Sequence, residues 1–478
     1  MYEEAKQMPL CHTLVLSSFH ALCNTCLINF SLSPMKSNEL FYTKIMRRTQ
    51  ENTTGIVLVL IFSSVVLTIV PVYFFPLWKR SSSSSSTTAT SSPLPLPSPP
   101  PSVRSATMRS GAKCDIFSGE WVPNPKAPYY TNGTCWAIHD HQNCMKFGRP
   151  DDGFMKWRWR PDGCELPVFN PAQFLELVGG KSLAFLGDSV GRNQMQSLMC
   201  LLSKVTYVVD ISTTSDDKSR RWSYPTHNFT LANFWSPYLV RSVEADPKGP
   251  TLTGLFSLYL DEPDSNWTAQ IKDFDYVIVS AGHWFFRPTL YHENHRVIGC
   301  HYCLNPNVTD LTMYHGYRMA FRTTFQTLLS LAGYKGTTFL RTYAPSHYEN
   351  GEWDKGGDCL RTRPVGSNET RLEGINLEMY MTQLEEFRSA EREARARGLK
   401  FRLIDVTEVM LRRPDGHPSR YGHLPQENVT MYNDCVHWCL PGPIDSWNDF
   451  LLQMLKMEGG SRSSSGKFHG SERKLEIK

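Results

Sequence analysis

From residue 114 to about 457, short apolar runs alternate with amphipathic stretches. Strands covered by helices on both faces lose the polar half of their pattern, so this alternation predicts an α/β domain with a mainly parallel sheet flanked by helices. Four runs have the length and apolar content of such strands: residues 182–186, 276–280, 338–342 and 401–404. Helices are expected between them, over 191–204, 317–331 and 373–397. In the last of these, acidic residues crowd the early turns, basic residues crowd the end, and Gly398 supplies a C-cap. Leu377, Tyr380, Met381, Leu384 and Phe387 share one face of that helix, a stripe expected to be core.

Upstream the pattern changes. Residues 53–78 carry no charge, and 56–70 (IVLVLIFSSVVLTIV) are long and apolar enough to contribute a bilayer-spanning helix. Pro71 and Pro76 fall at its far end, where a helix break costs least. A buried core helix is the competing reading, but the Ser/Thr/Pro run over 81–101 follows at once and offers nothing to cover it. That run buries no apolar surface and reads as an extended stalk. Lys36, Lys44, Arg47 and Arg48 precede the span against Lys79 and Arg80 after it, which places the N-terminus in the cytosol. Residues 1–45 lack the basic start and small-residue cleavage site of a signal peptide, so the span reads as an uncleaved signal anchor, with Met35 and Met46 as alternative starts. The expected organisation is a cytosolic tail over 1–54, a transmembrane anchor over 55–78, a lumenal stalk over 79–113, the head over 114–457, and a disordered Gly/Ser-rich tail over 458–478.

Composition adds compartment and partner class. Asn-x-Ser/Thr acceptor sequences begin at Asn132, Asn228, Asn266, Asn307, Asn368 and Asn428, and ten of the 13 cysteines follow the span. Both features fit a head that folds in the lumen of the secretory pathway, where disulfides persist. The net charge is +4 over 50 basic and 46 acidic residues, so no broad basic field points to nucleic acid, and neutral ligands fit better. Aromatic residues reach 12 %, including 12 Trp; flat rings suit sugar faces, although most aromatics in any domain are core.

Two short segments carry chemistry. The run 182–186 leads into Gly187-Asp188-Ser189 and then a helix, which delivers a hydroxyl to the carboxyl end of a strand, where open α/β sheets bind ligands. Gly187 allows a tight turn, and N–H groups at the helix start can stabilise an oxyanion. The same three residues also make an ordinary turn with a helix N-cap, so Ser189 needs partners. They stand near the other end, in Asp434-Cys435-Val436-His437-Trp438-Cys439: an imidazole can take a serine proton, and a carboxylate can fix its tautomer. Cys300-His301-Tyr302-Cys303 has the spacing of a zinc or redox motif, but an oxidising lumen and the lack of a second such pair favour a local disulfide and no metal. No dinucleotide or P-loop motif marks a nucleotide site.

The Gly187-Asp188-Ser189 block, the run DCVHWCLPG from Asp434, and the anchor-and-stalk layout together resemble the plant trichome birefringence-like polysaccharide O-acetyltransferases, over about residues 114–457. The N-terminal 45 residues are longer than that family's usual cytosolic tail. The resemblance implies an SGNH/GDSL-hydrolase-like fold, with Ser189 the nucleophile, His437 the base and Asp434 its orienting acid. It further implies disulfides pairing Cys114 with Cys164, Cys135 with Cys200, Cys144 with Cys439, and Cys359 with Cys435. Within the family, AGHWFFRP from Ala281, GCHYC from Gly299 and RPDGHPSRYGH from Arg413 look most like the branch acting on xyloglucan or mannan. The implied acceptor is a hemicellulose, xyloglucan first, with an acetyl donor required, no bound cofactor, and a Golgi membrane location.

Read from the residues themselves, Gly282 follows a strand as Gly187 does, so its N–H is an oxyanion candidate. Gly187, Asp188, Arg192 and Asn193 are candidates to bind or polarise the acyl group, and His283, Trp284, Phe285 and Phe286 to meet the sugar, with core packing as the alternative for the aromatics. The expected chemistry is a two-step exchange through acetyl-Ser189. Mannan or xylan acetylation, polysaccharide acetylester hydrolysis and non-catalytic wall-polysaccharide binding remain alternatives.

Overall fold

A computed structural model describes residues 114–465 except 215–218, 246–253, 304 and 425–431. The expected tail, anchor and stalk over 1–113, the acceptor Asn428 and residues 466–478 lie outside the described residues. Among the described residues no helix is long and apolar enough to cross a membrane.

A ribbon of β1 (Gly119–Pro123) and β2 (Trp157–Pro161) precedes the main sheet. That sheet contains β3 (Ser182–Gly187), β4 (Val209–Asp210), β5 (Ser219–Tyr224), β6 (Phe229–Trp235), β9 (Tyr276–Ser280), β12 (Thr337–Arg341) and β13 (Lys400–Ile404), in the order β13-β12-β9-β3-β6-β5-β4. The five strands from β13 to β6 are parallel; β5 and β4 add an antiparallel edge. A second sheet, not expected from the sequence, has the order β11-β10-β8-β7, from β7 (Val240–Glu244), β8 (Phe256–Pro263), β10 (Thr289–Glu293) and β11 (Arg296–His301). Its strands mix polar and apolar positions because only one face is covered, which hides them from a search for continuous apolar runs.

The helices are α1 (Pro171–Leu177), α2 (Ser189–Leu202), α3 (Ser265–Thr268), α4 (Thr312–Ser330), α5 (Gly374–Ala396), α6 (Thr407–Leu411) and α7 (Ser446–Ser465). They cover both faces of the main sheet. Along β3, Leu183 and Phe185 join the core shared with α1, α2 and α7, whereas Ala184 and Leu186 join the core shared with α4 and α5. Alternate side chains of one strand thus feed two apolar layers, which is why these strands read as unbroken apolar runs.

Two expectations need correction. The buried face of α5 is Met379, Thr382, Gln383, Leu384, Glu386, Phe387, Ala390 and Ala394, while Met381 is exposed and Leu377 and Tyr380 only half-buried. The face is rotated because its polar members have partners: Gln383 Oε1 accepts the Tyr343 N–H at 2.6 Å, and Glu386 pairs with Arg318 and Arg322. A buried polar group with a partner costs little, so hydrophobicity alone misplaces the stripe. The second correction concerns residues beyond 457, where α7 continues to Ser465. Adding a Gly or Ser to a formed helix costs only about 1 kcal/mol or less per residue.

The turn after β3 tolerates no side chain. Gly187 has φ +148°, and a Cβ there would stand 1.6 Å from the carbonyl oxygen of Ser280 on β9. Gly187→Ala is expected to destabilise the fold by about 3 kcal/mol, read by urea unfolding; a loss under about 0.5 kcal/mol, the size of a neutral surface change, would contradict this account of the turn.

Candidate active site

Ser189 is the first residue of α2, at the carboxyl end of β3, the middle strand of the main sheet. Asp188 caps the helix: its Oδ1 accepts the N–H groups of Val190 at 3.0 Å and Gly191 at 3.4 Å. Its own N–H donates to Ser280 O at 3.2 Å, which ties the turn to β9. Burial pushes the Asp188 carboxyl upward, against the pull of buried Arg341 and the two N–H groups. Capping uses two of the first-turn donors expected to serve an oxyanion, leaving the Ser189 N–H without an acceptor among the described residues.

The His437 imidazole lies against Ser189. Ser189 Oγ and His437 Nε2 are 2.6 Å apart, and His437 Nδ1 is 2.8 Å from Asp434 Oδ2. With Nδ1 protonated, that nitrogen donates to the carboxylate, and Nε2 is free to accept from the serine hydroxyl. Asp434 Oδ1 meanwhile accepts the N–H groups of Val436 at 3.1 Å and His437 at 2.9 Å, closing its own loop. Burial pushes the Asp434 carboxyl upward, but His437 and the two N–H groups outweigh it and hold the carboxyl well below the usual range. For His437, burial opposes the charged ring, yet the Asp434 carboxylate wins and raises its pKa above the ordinary imidazole value.

Several supports hold this loop. Asn193, one helical turn after Ser189, accepts the Trp438 N–H through Oδ1 at 2.8 Å and donates Nδ2 to Trp438 O at 3.3 Å. Asp434 and Ser419 exchange backbone hydrogen bonds of 3.0 and 2.8 Å. His417 Nδ1 donates to His437 O at 2.7 Å, and its ring stacks on Trp438 at 4.1 Å. Arg149 donates to the carbonyls of Asp415 and His417, and Arg413, fully buried, grips Asp415 with two nitrogens. The RPDGHP segment therefore builds a buried platform behind His437.

Disulfides join the same pairs that the resemblance implied, together with Cys300–Cys303. Cys359–Cys435 and Cys144–Cys439 bracket His437 on both sides. The Cys300 and Cys303 sulfurs are bonded to each other and are not thiolate ligands, which removes the zinc reading of that motif. Of the glycan acceptors, Asn132, Asn228, Asn307 and Asn368 are exposed, while Asn266 is half-buried and donates to Trp235 O.

Other candidates separate. Asn193 is fully buried with both amide atoms on Trp438, so it positions the loop and does not face the acyl group. Phe285 is fully buried between Tyr238 and Tyr317 and belongs to the core. Trp284 is half-buried among Trp235, Tyr238 and Phe256, with the Arg287 guanidinium over its ring at 4.0 Å. Gly282 is buried, and a Cβ there would come within 2.9 Å of the Tyr343 ring. His283 Nε2 shares a 3.1 Å hydrogen bond with Tyr343 Oη, and burial, with His437 nearby, lowers its pKa to about 3. Phe286 is half-buried against His283 and Tyr343. Arg192 lies close enough to His437 to oppose its protonation, with its guanidinium 5.0 Å from the Trp235 ring.

His141 went unnoticed in the sequence. Its ring meets that of His437 at 5.7 Å, and burial, with His437 beside it, lowers its pKa to about 4. No local motif marks it, because only folding brings residue 141 to the loop.

Residues 166–454 match the model of a GDSL/SGNH-like acyl-esterase family, PC-Esterase, and residues 112–165 match the PMR5 N-terminal domain. The chain is 60% identical to Protein trichome birefringence-like 19 of Arabidopsis thaliana over 75% of its own length and 84% of the relative's. It is 45% identical to Xyloglucan O-acetyltransferase 4 of Populus trichocarpa over 72% of the chain and 81% of that protein. With xyloglucan O-acetyltransferase 2 of Arabidopsis thaliana it shares 43% identity over 72% and 83% of the two lengths. A serine, histidine and aspartate in hydrogen-bonded series at the end of a parallel strand, on a chain with these relatives, make this a member of the trichome birefringence-like group of the PC-Esterase family.

Proposed function

We propose that the chain is a polysaccharide O-acetyltransferase that moves an acetyl group onto a xyloglucan-type hemicellulose through an acetyl-Ser189 intermediate. The observation that carries the reading is the continuous hydrogen-bond series Ser189–His437–Asp434. Relatives named as xyloglucan O-acetyltransferases, at 43 to 45% identity, support the acceptor class.

In the first step His437 Nε2 takes the hydroxyl proton as Ser189 Oγ bonds to the acetyl carbon of an activated donor. The carbonyl oxygen becomes an oxyanion facing the Ser189 N–H and, in the turn that follows the neighbouring strand β9, the Gly282 N–H. The oxyanion collapses, the donor's leaving group departs with the proton from His437, and acetyl-Ser189 remains. In the second step a sugar hydroxyl gives its proton to His437 and attacks the same carbon, and Ser189 Oγ leaves with that proton. Asp434 holds the ring in the required tautomer and stabilises the imidazolium in both steps.

The remaining parts of the proposal concern place. The uncharged stretch over 55–78 anchors the chain in a Golgi membrane, and the 79–113 stalk holds the head in the lumen, a reading supported by the disulfides and the exposed acceptor asparagines.

The direct test incubates the full-length chain with an activated acetyl ester and xyloglucan or mannan oligosaccharides, beside Ser189→Ala, and weighs the sugars by mass spectrometry. Acetylated xyloglucan from the parent chain alone is expected. Mannan acetylation would change the acceptor, and net deacetylation of pre-acetylated chains would make hydrolysis the better description.

The pH profile follows from His437, which must be neutral to act as base. Activity is expected to rise with pH through a transition above the ordinary imidazole pKa of about 6.5. In Asp434→Asn burial acts unopposed by the carboxylate, so that transition moves to lower pH, while the plateau falls by about 10⁴-fold. An unmoved transition would contradict the coupling. For the lumenal location, glycans are expected on Asn132, Asn228, Asn307 and Asn368 in the chain from its native membrane, read by peptide mapping after endoglycosidase; bare asparagines at all four would contradict it.

A further inference from the structure

A cavity of about 220 Å³ opens beside the site, between α2 and the β4–β5–β6 edge of the main sheet. Its walls include Trp136, His139, Arg192, Gln196, Trp222 and Asn233. Two routes connect it to Ser189. Arg192 lies on the first turn of α2, three residues after the serine. The His139 ring meets His141 at 5.7 Å, and His141 meets His437 at 5.7 Å.

The lining has the chemistry of a site for a neutral, hydroxyl-rich ring. Trp136 is 65% exposed, an unusual cost for the largest apolar side chain, and the disulfide Cys135–Cys200 fastens its neighbour to α2, so the backbone that carries the indole is fixed beside the cavity. Gln196 is 3% exposed, and its Oε1 has no hydrogen-bond partner. A buried carbonyl left in that state lacks a donor, which a sugar hydroxyl supplies. Asn233, also 3% exposed, adds a second amide. Asp210 and Arg220 on the same wall pair with each other, so their charges offset locally.

We propose that this cavity is an acceptor subsite, in which a neutral sugar ring lies on the Trp136 indole with its hydroxyls bonded to Gln196 and Asn233. A neighbouring sugar of the same chain then presents its hydroxyl to Ser189. The assignment rests on the reading of Ser189 and His437 as the reacting pair, and it places part of the acceptor specificity on the α2–β5 side of that pair.

Direct binding tests it without turnover. The full-length chain carrying Ser189→Ala is titrated calorimetrically with a xyloglucan heptasaccharide and with cellotetraose. Adding Trp136→Ala is expected to weaken binding by about tenfold, the loss of one stacked ring. The exposure of Trp136 makes its truncation a light burden on the fold. Independently, saturating oligosaccharide is expected to shield Trp136 from oxidation by N-bromosuccinimide, read by peptide mapping. Equal affinities with and without the Trp136 ring, together with undiminished oxidation, would overturn the subsite, as would failure of both probes to bind. If the chain with Ser189 intact transfers no acetyl group while oligosaccharide still binds through Trp136, the catalytic reading falls, and with it the role as acceptor subsite, while sugar binding at the cavity stands.

Discussion

The site depends on one side chain holding two distant pieces of chain together. Asn193 is buried on α2, one turn beyond Ser189, and both of its amide atoms bond the backbone of Trp438, the residue after His437. The helix turn fixes where Ser189 stands relative to Asn193, and the paired amide bonds fix where His437 stands relative to Asn193. A contact of 2.6 Å between Nε2 and Oγ then follows from backbone geometry and not from the chance meeting of two flexible side chains. Buried, and with both its nitrogen and its oxygen bonded to the Trp438 backbone, the amide is held away from water, so the clamp is stiff.

Around that clamp the chain spends unusual resources on one loop. Two disulfides bracket His437, with the His417 bond to His437 O between them and the Asp434–Ser419 bridge just ahead of the first. Behind His417, Arg149 and Arg413 satisfy buried carbonyls and the Asp415 carboxylate. Each of these groups would be costly to bury alone; as a connected network they leave His437 one orientation. The same rigidity has an electrostatic effect. Burial and the neighbouring His437 disfavour the cationic form of His283, whereas the Asp434 carboxylate favours that of His437, so positive charge at the site is favoured on the ring that faces Asp434.

Much of this was legible in the sequence, for physical reasons. The strands β3 and β9 are covered on both faces and so leave continuous apolar runs, while Gly187-Asp188-Ser189 and Asp434 to His437 are local patterns whose chemistry makes sense only together. What escaped detection depends on contacts between distant residues. Nothing near Asn193 marks it as a clamp, since its partner is 245 residues away. The buried face of α5 was misplaced because Gln383 and Glu386 are hidden by virtue of partners on other elements. The second sheet mixes polar and apolar positions and so resembles loop.

The central claim, that Ser189 carries the acetyl group, is tested most directly by trapping it. The full-length chain is mixed with an activated acetyl ester, quenched in acid within seconds, digested and mapped by mass spectrometry. One acetyl group on the peptide holding Ser189, absent when His437→Ala is treated in the same way and discharged by adding oligosaccharide acceptor, is the predicted result. Acetylated sugar formed while Ser189 never carries acetyl would contradict the account and require direct transfer from donor to acceptor.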